Sequence, residues 1–513
     1  MRKIRILAAL ACLCLTTGLC VPAQGAEQTG TPKAGIVAQG ACGKDGADLT
    51  WTLEADGVLT IRGNGEMEDY SYHWELESST PEVLPPTKAD VGEERELPPW
   101  LRYVSSLWDP WGGSPDLVVL RKIVIEEGVA SIGASAFSTC LLSSAQVQIP
   151  GSVRSIGDAA FLGTQLPAVT IPEGVERIGT GAFKSCDMVE VTIPSTVKYI
   201  GGCAFSTWMT PGIRMLKKIS VSEGNTNHRA VDGVLYNMDM TELVQYPEGK
   251  EGTSFVVPST VKRIGADAFA CAGLASVTLP EGLEEIGWGA FAYNEALTEI
   301  RLPDSVRTVG DYAFARCHAL ASAALSADLE EIGIQAFYGT GLWRVRIPPS
   351  VEHIKFGAFW CPDLACVYIP KSVVSIDLRG LSDGPWLDIY YEGGEEDWKK
   401  ISIDEDAFSQ FFGVTFHYHA SPSQPLEIPV WIVDTSSRGT SIQYNGPFLP
   451  QETMVLAASL SGGRFRGAAL GTYGGSRGRF DFGTRLEEGC RLFFLDPQTL
   501  IPLSEPTVLM GPR

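Results

Sequence analysis

Between residues 121 and 420 the apolar positions repeat one phrase. An aliphatic residue precedes a proline, a valine follows three residues later, and then comes Ile-Gly-x-x-Ala-Phe. Ile149-Pro150 leads to Val153, Ile156-Gly157 and Ala160-Phe161, and Ile171-Pro172 leads to Val175, Ile178-Gly179 and Ala182-Phe183. The phenylalanine register runs Phe137, Phe161, Phe183, Phe205, then Phe269, Phe291, Phe314, Phe337, Phe359. Apart from the 64-residue gap after Phe205, the spacing is 22 to 24 residues. A period of 20–29 residues with fixed aliphatic positions predicts a leucine-rich-repeat solenoid.

One copy shows the physics. In the stretch from Leu274 to Pro280, the alternation of Val277 and Leu279 predicts a short strand with every second side chain inward. Pro280 lacks an N–H and ends the ladder. Gly287 permits a tight bend where a Cβ would clash, and Ala290 and Phe291 fill the interior from the opposite wall. No coil buries this face alone; stacking makes the core continuous.

The flanks break the period. Residues 49–61 alternate around an Ala55-Asp56-Gly57 turn, a hairpin pattern that predicts an N-terminal β cap within 35–120, followed by an acidic, Pro-rich loop over 70–99. In the gap, residues 231–237 and 241–247 read as two strands around a Met238-Asp239-Met240 turn, a hairpin insertion near 225–250. After a Ser/Pro linker, residues 428–433, 453–459 and 490–495 read as strands of a small β-sandwich-like module over 421–513.

The Ile-Gly-x-x-Ala-Phe phrase in register with the Ile-Pro strand ends resembles the BspA-like leucine-rich repeats of bacterial surface and secreted proteins, over residues 121–420. Leu325-Ser326, Ile354-Lys355 and Gly380-Leu381 depart from the phrase. The segments around Ile389 to Trp398 and Val414 to Tyr418 resemble the degenerate last unit of such arrays. The resemblance implies surface adhesion or contact with extracellular matter.

Residues 1–26 carry a basic start (Arg2, Lys3, Arg5), an apolar run over 6–19 and small residues at Ala23 and Ala26. This is the pattern of a secretory signal peptide, too short for a spanning helix of ~20 apolar residues. It places the chain outside the cytoplasm, secreted or at the cell surface, without an integral membrane span. Leu19 before Cys20 is too large for a lipoprotein box. The whole chain has 40 basic against 61 acidic residues and a net charge of −21; loss of the three N-terminal cations takes this to −24. Such a balance opposes nucleic-acid binding, because phosphates demand Lys and Arg.

Candidate chemistry is sparse. Gly474-Gly475-Ser476-Arg477-Gly478 spells G-x-S-x-G, but no histidine follows it, and the elbow requires one downstream. Gly462 to Gly467 reads as a strand-connecting loop. His417 and His419 alternate on a strand, yet two ligands are too few for zinc. Cys140, Cys186 and Cys317 fall three residues after the repeat Phe, and Cys271 and Cys361 fall two after; this regularity predicts a buried, small apolar ladder. The Glu284-Glu285 and Glu330-Glu331 pairs read as solvated faces. The chain is therefore expected to have no metal, no cofactor and no catalytic residue.

The outward position of each strand is the functional candidate. It is small or hydroxylated early (Gln148, Thr170, Thr192, Ser220), but later it collects Arg301, Arg346 and Tyr368, with Trp343 and Arg344 beside them. Arginine and aromatics are what recognition surfaces enrich. Arg301, Trp343, Arg344, Arg346 and Tyr368 are the expected ligand-binding residues, for an acidic extracellular protein or glycan. The alternatives are an enzyme-accessory or carbohydrate-binding protein, and a structural component of a cell-surface layer.

Overall fold

A computed structural model describes residues 35–46, 48–70, 97–104, 117–206, 215–377, 379–381, 386–404 and 413–423, and seven backbone strands between 430 and 508. It is a β-solenoid. Most coils carry two short strands, and equivalent strands of successive coils pair in parallel; the coil over residues 157–178 has only the second. The front strands precede the proline, as in Ser276–Thr278, which pairs with Ser254–Val256. The Ile of Ile-Gly supplies a second, two-residue back strand: Arg263–Ile264, Glu285–Ile286, Thr308–Val309 and Glu331–Ile332 stack in register. The sequence reading recognised only the front strand.

The repeat phenylalanines form the spine. Phe137, Phe161, Phe183 and Phe205 stack at 5.1 to 5.7 Å between ring centroids, and Phe269, Phe291, Phe314, Phe337 and Phe359 at 5.0 to 5.2 Å. All nine are 2% exposed or less. Their backbones are tied too: the N–H groups of Phe137, Phe161, Phe183, Phe269, Phe291, Phe314 and Phe337 donate to the alanine carbonyl of the next coil, as from Phe269 to Ala290 at 2.7 Å. At the end of the array Phe359 donates instead to Gly380, and buried Leu381 takes the ring's place.

The repeat glycine is needed for a different reason than a bend. A Cβ on Gly157 would lie 2.5 Å from the Ala134 nitrogen, and one on Gly333 2.3 Å from the Asp311 nitrogen. Neither glycine has positive φ. Two coils simply approach too closely there for a side chain. The left-handed turn falls two residues later, at Ala159, Tyr312 and Gln335, where the N–H donates to the next coil.

The N-terminal hairpin forms as expected, Asp48–Glu54 against Val58–Glu66. It also seeds both ladders. The first half of Val58–Glu66 pairs in parallel with Lys122–Ile125, and its second half with Val129–Ile132. Trp100 completes the cap: it stacks on Phe137 at 5.4 Å and donates Nε1–H to the Ala136 carbonyl at 3.0 Å. Residues 71–96 of the expected acidic loop lie outside the described residues, while the bounding Tyr70 and Trp100 are buried.

The hairpin insertion within the gap after Phe205 holds three strands rather than two, His228–Val231, Val234–Asn237 and Glu242–Gln245. His228–Val231 pairs with Val234–Asn237 around Asp232 and Gly233, and Val234–Asn237 pairs with Glu242–Gln245. The sequence reading ran one strand through Asp232-Gly233. Both residues have positive φ (50° and 79°), the signature of a tight hairpin turn. The insertion then rejoins the repeat. Leu243 pairs with Ile264, and Tyr246 stands in for the missing phenylalanine, donating N–H to Ala268 and lying 5.2 Å from Phe269. The two halves of the core meet on one strand: Leu235 packs into the first, Val234 and Tyr236 into the second. Lys184 and Asp267 bridge the same junction at 3.0 Å, with side chains 12% and 0% exposed.

The cysteine ladder is buried at Cys140, Cys186, Cys317 and Cys361, whereas Cys271 is half-buried because it occupies a left-handed turn. The slot is not purely apolar. The thiols of Cys186, Cys317 and Cys361 donate to the carbonyls of Phe161, Phe291 and Phe337, at 3.1 to 3.4 Å. Thr340 and Asn294 donate to the same Phe337 and Phe291 carbonyls, and Asn294 also donates to the Phe269 carbonyl. The acidic pairs are likewise more than solvated faces. Lys262 and Arg263 reach Glu284 and Glu285, and Arg307 and Lys355 reach Glu330 and Glu331, between neighbouring coils. Each exposed pair contributes only ~0.2–1 kcal/mol.

After the last aromatic coil, Trp386–Tyr391 and Gly413–Tyr418 extend the front ladder, and Trp398 packs on Tyr391 and Phe416. The strands from Val430–Ser436 to Thr507–Val508 hydrogen-bond into a single seven-stranded antiparallel sheet. Arg464–Tyr473 is one of its strands, opposite Met454–Ser461, so the stretch expected as a loop around Gly467 is strand from Arg464 onward. Residues 474–478, with the G-x-S-x-G spelling, lie outside the described residues.

Gly157→Ala is expected to destabilise the protein by about 1–3 kcal/mol by forcing two backbones apart. Gly282→Ala, whose Cβ would meet nothing within 4 Å, stays within about 0.5 kcal/mol in the same denaturant titration. Asp267→Ala strands Lys184 in the junction and is expected to cost about 3–5 kcal/mol. Burial pushes the thiols of Cys140, Cys186, Cys317 and Cys361 up to about 12. Iodoacetamide in mildly alkaline buffer should therefore leave these four unlabelled in the folded protein and label them after denaturation, as read by peptide mass spectrometry.

Candidate recognition site on the front strands

The outward register read from sequence holds through Ala324. Gln148, Thr192, Thr278, Arg301 and Ala324 are exposed, and Val256 is 70% exposed. Arg301 ends the strand Glu299–Arg301, opposite Ala324. A small neighbour leaves its guanidinium open to solvent.

The next strand, Arg344–Arg346, starts a different neighbourhood. It pairs with Cys366–Ile369, which pairs with Trp386–Tyr391, which pairs with Gly413–Tyr418. Parallel pairing in register sets two columns of side chains. One runs Arg346, Tyr368, Tyr390, His417, and the other Arg344, Cys366, Asp388, Thr415. Arg344 is exposed and lies 4.4 Å over the half-buried Trp343 ring. Arg346 lies 4.7 Å over the Tyr368 ring. The ring quadrupole attracts each cation and holds the guanidinium flat.

Tyr368 does not have the place expected of it. It is 2% exposed, and it packs with Cys366, Tyr390 and Ala420, with Trp343 against their edge. Arg346 is only half-exposed. The cause lies downstream. The last two front strands have six residues instead of three, and they bring Tyr390 and His417 alongside, their rings stacked at 4.4 Å. The chain then turns back, and Ala420 donates N–H to Tyr391. A second, outward core closes over Tyr368. The signal was present in sequence: an aromatic at the outward position of three successive coils has neighbours to bury it.

Electrostatics follow burial. Desolvation foremost, opposed by the Tyr368 hydroxyl and reinforced by the charge on Arg344, lowers the Arg346 pKa. Burial and the nearby Glu392 raise that of Tyr368, against the pull of Arg346. Burial and Asp388 push the Cys366 thiol up, so it is no nucleophile. Asp388, which the sequence reading passed over, is buried one position from Tyr390 in the next column, its Oδ1 3.7 Å from His417 Nε2. His419 lies beyond the strand in a left-handed turn, apart from that contact. Among the described residues no cluster of three or more His, Cys, Asp or Glu side chains could hold a metal ion, and no helix is long and apolar enough to cross a membrane.

The site therefore divides. Arg344 with Trp343 forms an accessible cation on an aromatic base, Arg301 is a separate accessible cation two coils earlier, and Arg346 with Tyr368 is the packed floor.

Residues 117–210 and 248–365 match the BspA type leucine rich repeat region, in six copies. No curated protein matches the chain. Among solved structures, a leucine-rich repeat protein from Eubacterium ventriosum is 22% identical over 73% of this chain and 95% of its own, with a TM-score of 0.48. The pneumococcal vaccine antigen PcpA is 22% identical over 58% of this chain and 74% of its own, with a TM-score of 0.43. A leucine rich cell surface protein from Faecalibacterium prausnitzii is 21% identical over 73% and 99%, with a TM-score of 0.41. The matched segments carry the Ile-Gly-x-x-Ala-Phe phrase on either side of the hairpin insertion, and over residues 117–210 and 248–365 the coils are BspA-type leucine-rich repeats.

Proposed function

We propose that this chain works outside the cytoplasm as a non-enzymatic recognition or adhesion protein, and that its front-strand face takes an acidic protein or glycan. The carrying observation is Arg344, exposed and held 4.4 Å over Trp343. A guanidinium held flat loses less freedom on pairing with a carboxylate or sulfate than a free side chain does. Arg301 supplies a second contact, and Arg346 and Tyr368 hold the floor in place. The −21 net charge supports an acidic partner in one respect: the rest of the surface repels it, so local cations set where it lands. Export rests on the secretory pattern of residues 1–26.

The test is retention of soluble extracellular proteins and glycans on the immobilised full chain, followed by titration of whatever is retained. Arg301→Glu with Arg344→Glu should weaken that binding at least tenfold, with an unchanged melting curve, and binding should also fall as salt rises. Unaltered affinity in this double variant contradicts the reading of the face. Turnover of the bound partner contradicts the non-enzymatic reading.

A further inference from the structure

The edge of the solenoid that carries the left-handed turns changes character along the array. In the coils around Phe137 and Phe161 its turn positions hold Ala134, Ser135, Ala159 and Gly163. In the coils from Phe291 to Phe359 the edge holds Trp288, Tyr312, Arg316, Tyr338 and Trp360, and Arg379 follows one coil later; Tyr338 and Trp360 each follow the repeat Phe, where the first two coils have Ser138 and Leu162. All six are half-exposed. Trp288 and Tyr312 lie 5.7 Å apart and Tyr338 and Trp360 5.1 Å apart between ring centroids, close to one pyranose length. Arg316 lies 5.0 Å over Tyr338 and donates to its hydroxyl at 3.3 Å, and Arg379 lies 4.3 Å over Trp360.

A second observation is independent of this strip. Gln335 sits in a left-handed turn in the column between Tyr312 and Gly357, fully buried, with its side chain across Gly357. Neither its amide nitrogen nor its amide oxygen has a hydrogen-bond partner, and Arg316 Nε lacks one as well. Buried polar groups are nearly always paired, and a β-turn of this kind is served more easily by glycine. Gln335 and Arg316 belong to neighbouring coils of the same edge, each in a left-handed turn.

We infer that this turn edge is a second binding site, distinct from the front strands, and that its ligand is an acidic polysaccharide of the uronate class. Sugar rings present apolar C–H faces to the half-exposed aromatic rings. Uronate carboxylates pair with guanidinium groups already laid flat on those rings. Peptide addition is disfavoured because the turn N–H groups are spent on the next coil: Tyr312 to Ile334, Gln335 to Phe356 and Gly339 to Trp360, each at 2.9 Å. The whole chain carries a net charge of −21, so Arg316 and Arg379 are the local attraction that sets where an anionic chain lands.

The experiment is calorimetric titration of the full chain with a defined oligogalacturonate, its fully methyl-esterified form and polyglutamate. The uronate should bind, with the ester and polyglutamate at least tenfold weaker. Trp360→Ala and Arg316→Gln should each weaken uronate binding at least tenfold, while Arg62→Ala, an exposed arginine on the N-terminal hairpin, leaves it unchanged. Should Trp360→Ala lower the melting temperature, Trp360→Phe and Arg316→Lys decide, and an affinity equal to that of the parent chain in both overturns the proposal. So does polyglutamate binding as tightly as the uronate, full retention of affinity by the ester, or no uronate binding at all.

Discussion

The whole array depends on how closely one coil can lie on the next. Phenylalanine rings stacked near 5 Å fix that distance from inside, and backbone pairing fixes it from both strand ladders. Once the distance is set, the residue after the back-strand aliphatic is glycine at Gly157, Gly179, Gly201, Gly287, Gly310 and Gly333, because a Cβ there would enter the neighbouring backbone, whereas the closing coils carry Lys355 and Asp377. The same distance makes Phe carbonyls run as a buried row, and Cys, Thr and Asn side chains are spaced to satisfy it. Hydrophobic stacking, glycine choice and polar satisfaction are thus one constraint seen three ways.

Two places strain that constraint, and both are repaired locally. At the insertion the phenylalanine row is interrupted, and Tyr246 resumes it with the same backbone bond. The Lys184–Asp267 pair bridges the break through side chains that are almost fully buried. At the C-terminal end the row finishes on Leu381, while longer front strands and Trp398 close the interior. Only residues off the interior are then free to vary, which is why the turn edge can pass from serine and alanine to tryptophan and arginine without altering the coil.

Most of the fold was legible because the interior repeats. Nine phenylalanines in register announce the solenoid, and the Gly57 turn announces the cap hairpin. What was not legible depends on neighbours in space. The two-residue back strands are too short to show periodicity. Asp232-Gly233 has the composition of a turn, but it sat inside an apolar run that also reads as one strand. Tyr368 occupies an outward position by register, and only the parallel pairing of 366–369 with 386–391 and 413–418 shows that Tyr390 buries it. The turn-edge strip is scattered through the sequence at intervals of one coil, so its aromatics look isolated until the coils are stacked.

The most direct measurement is native-state hydrogen–deuterium exchange followed by mass spectrometry across the hairpin insertion. The turn amides of residues 159–183 and 267–339 should share slow exchange, and peptides containing Tyr246 should be as protected as those containing Phe269. Fast exchange at Tyr246, with the two segments opening independently, would contradict a stack carried through the insertion.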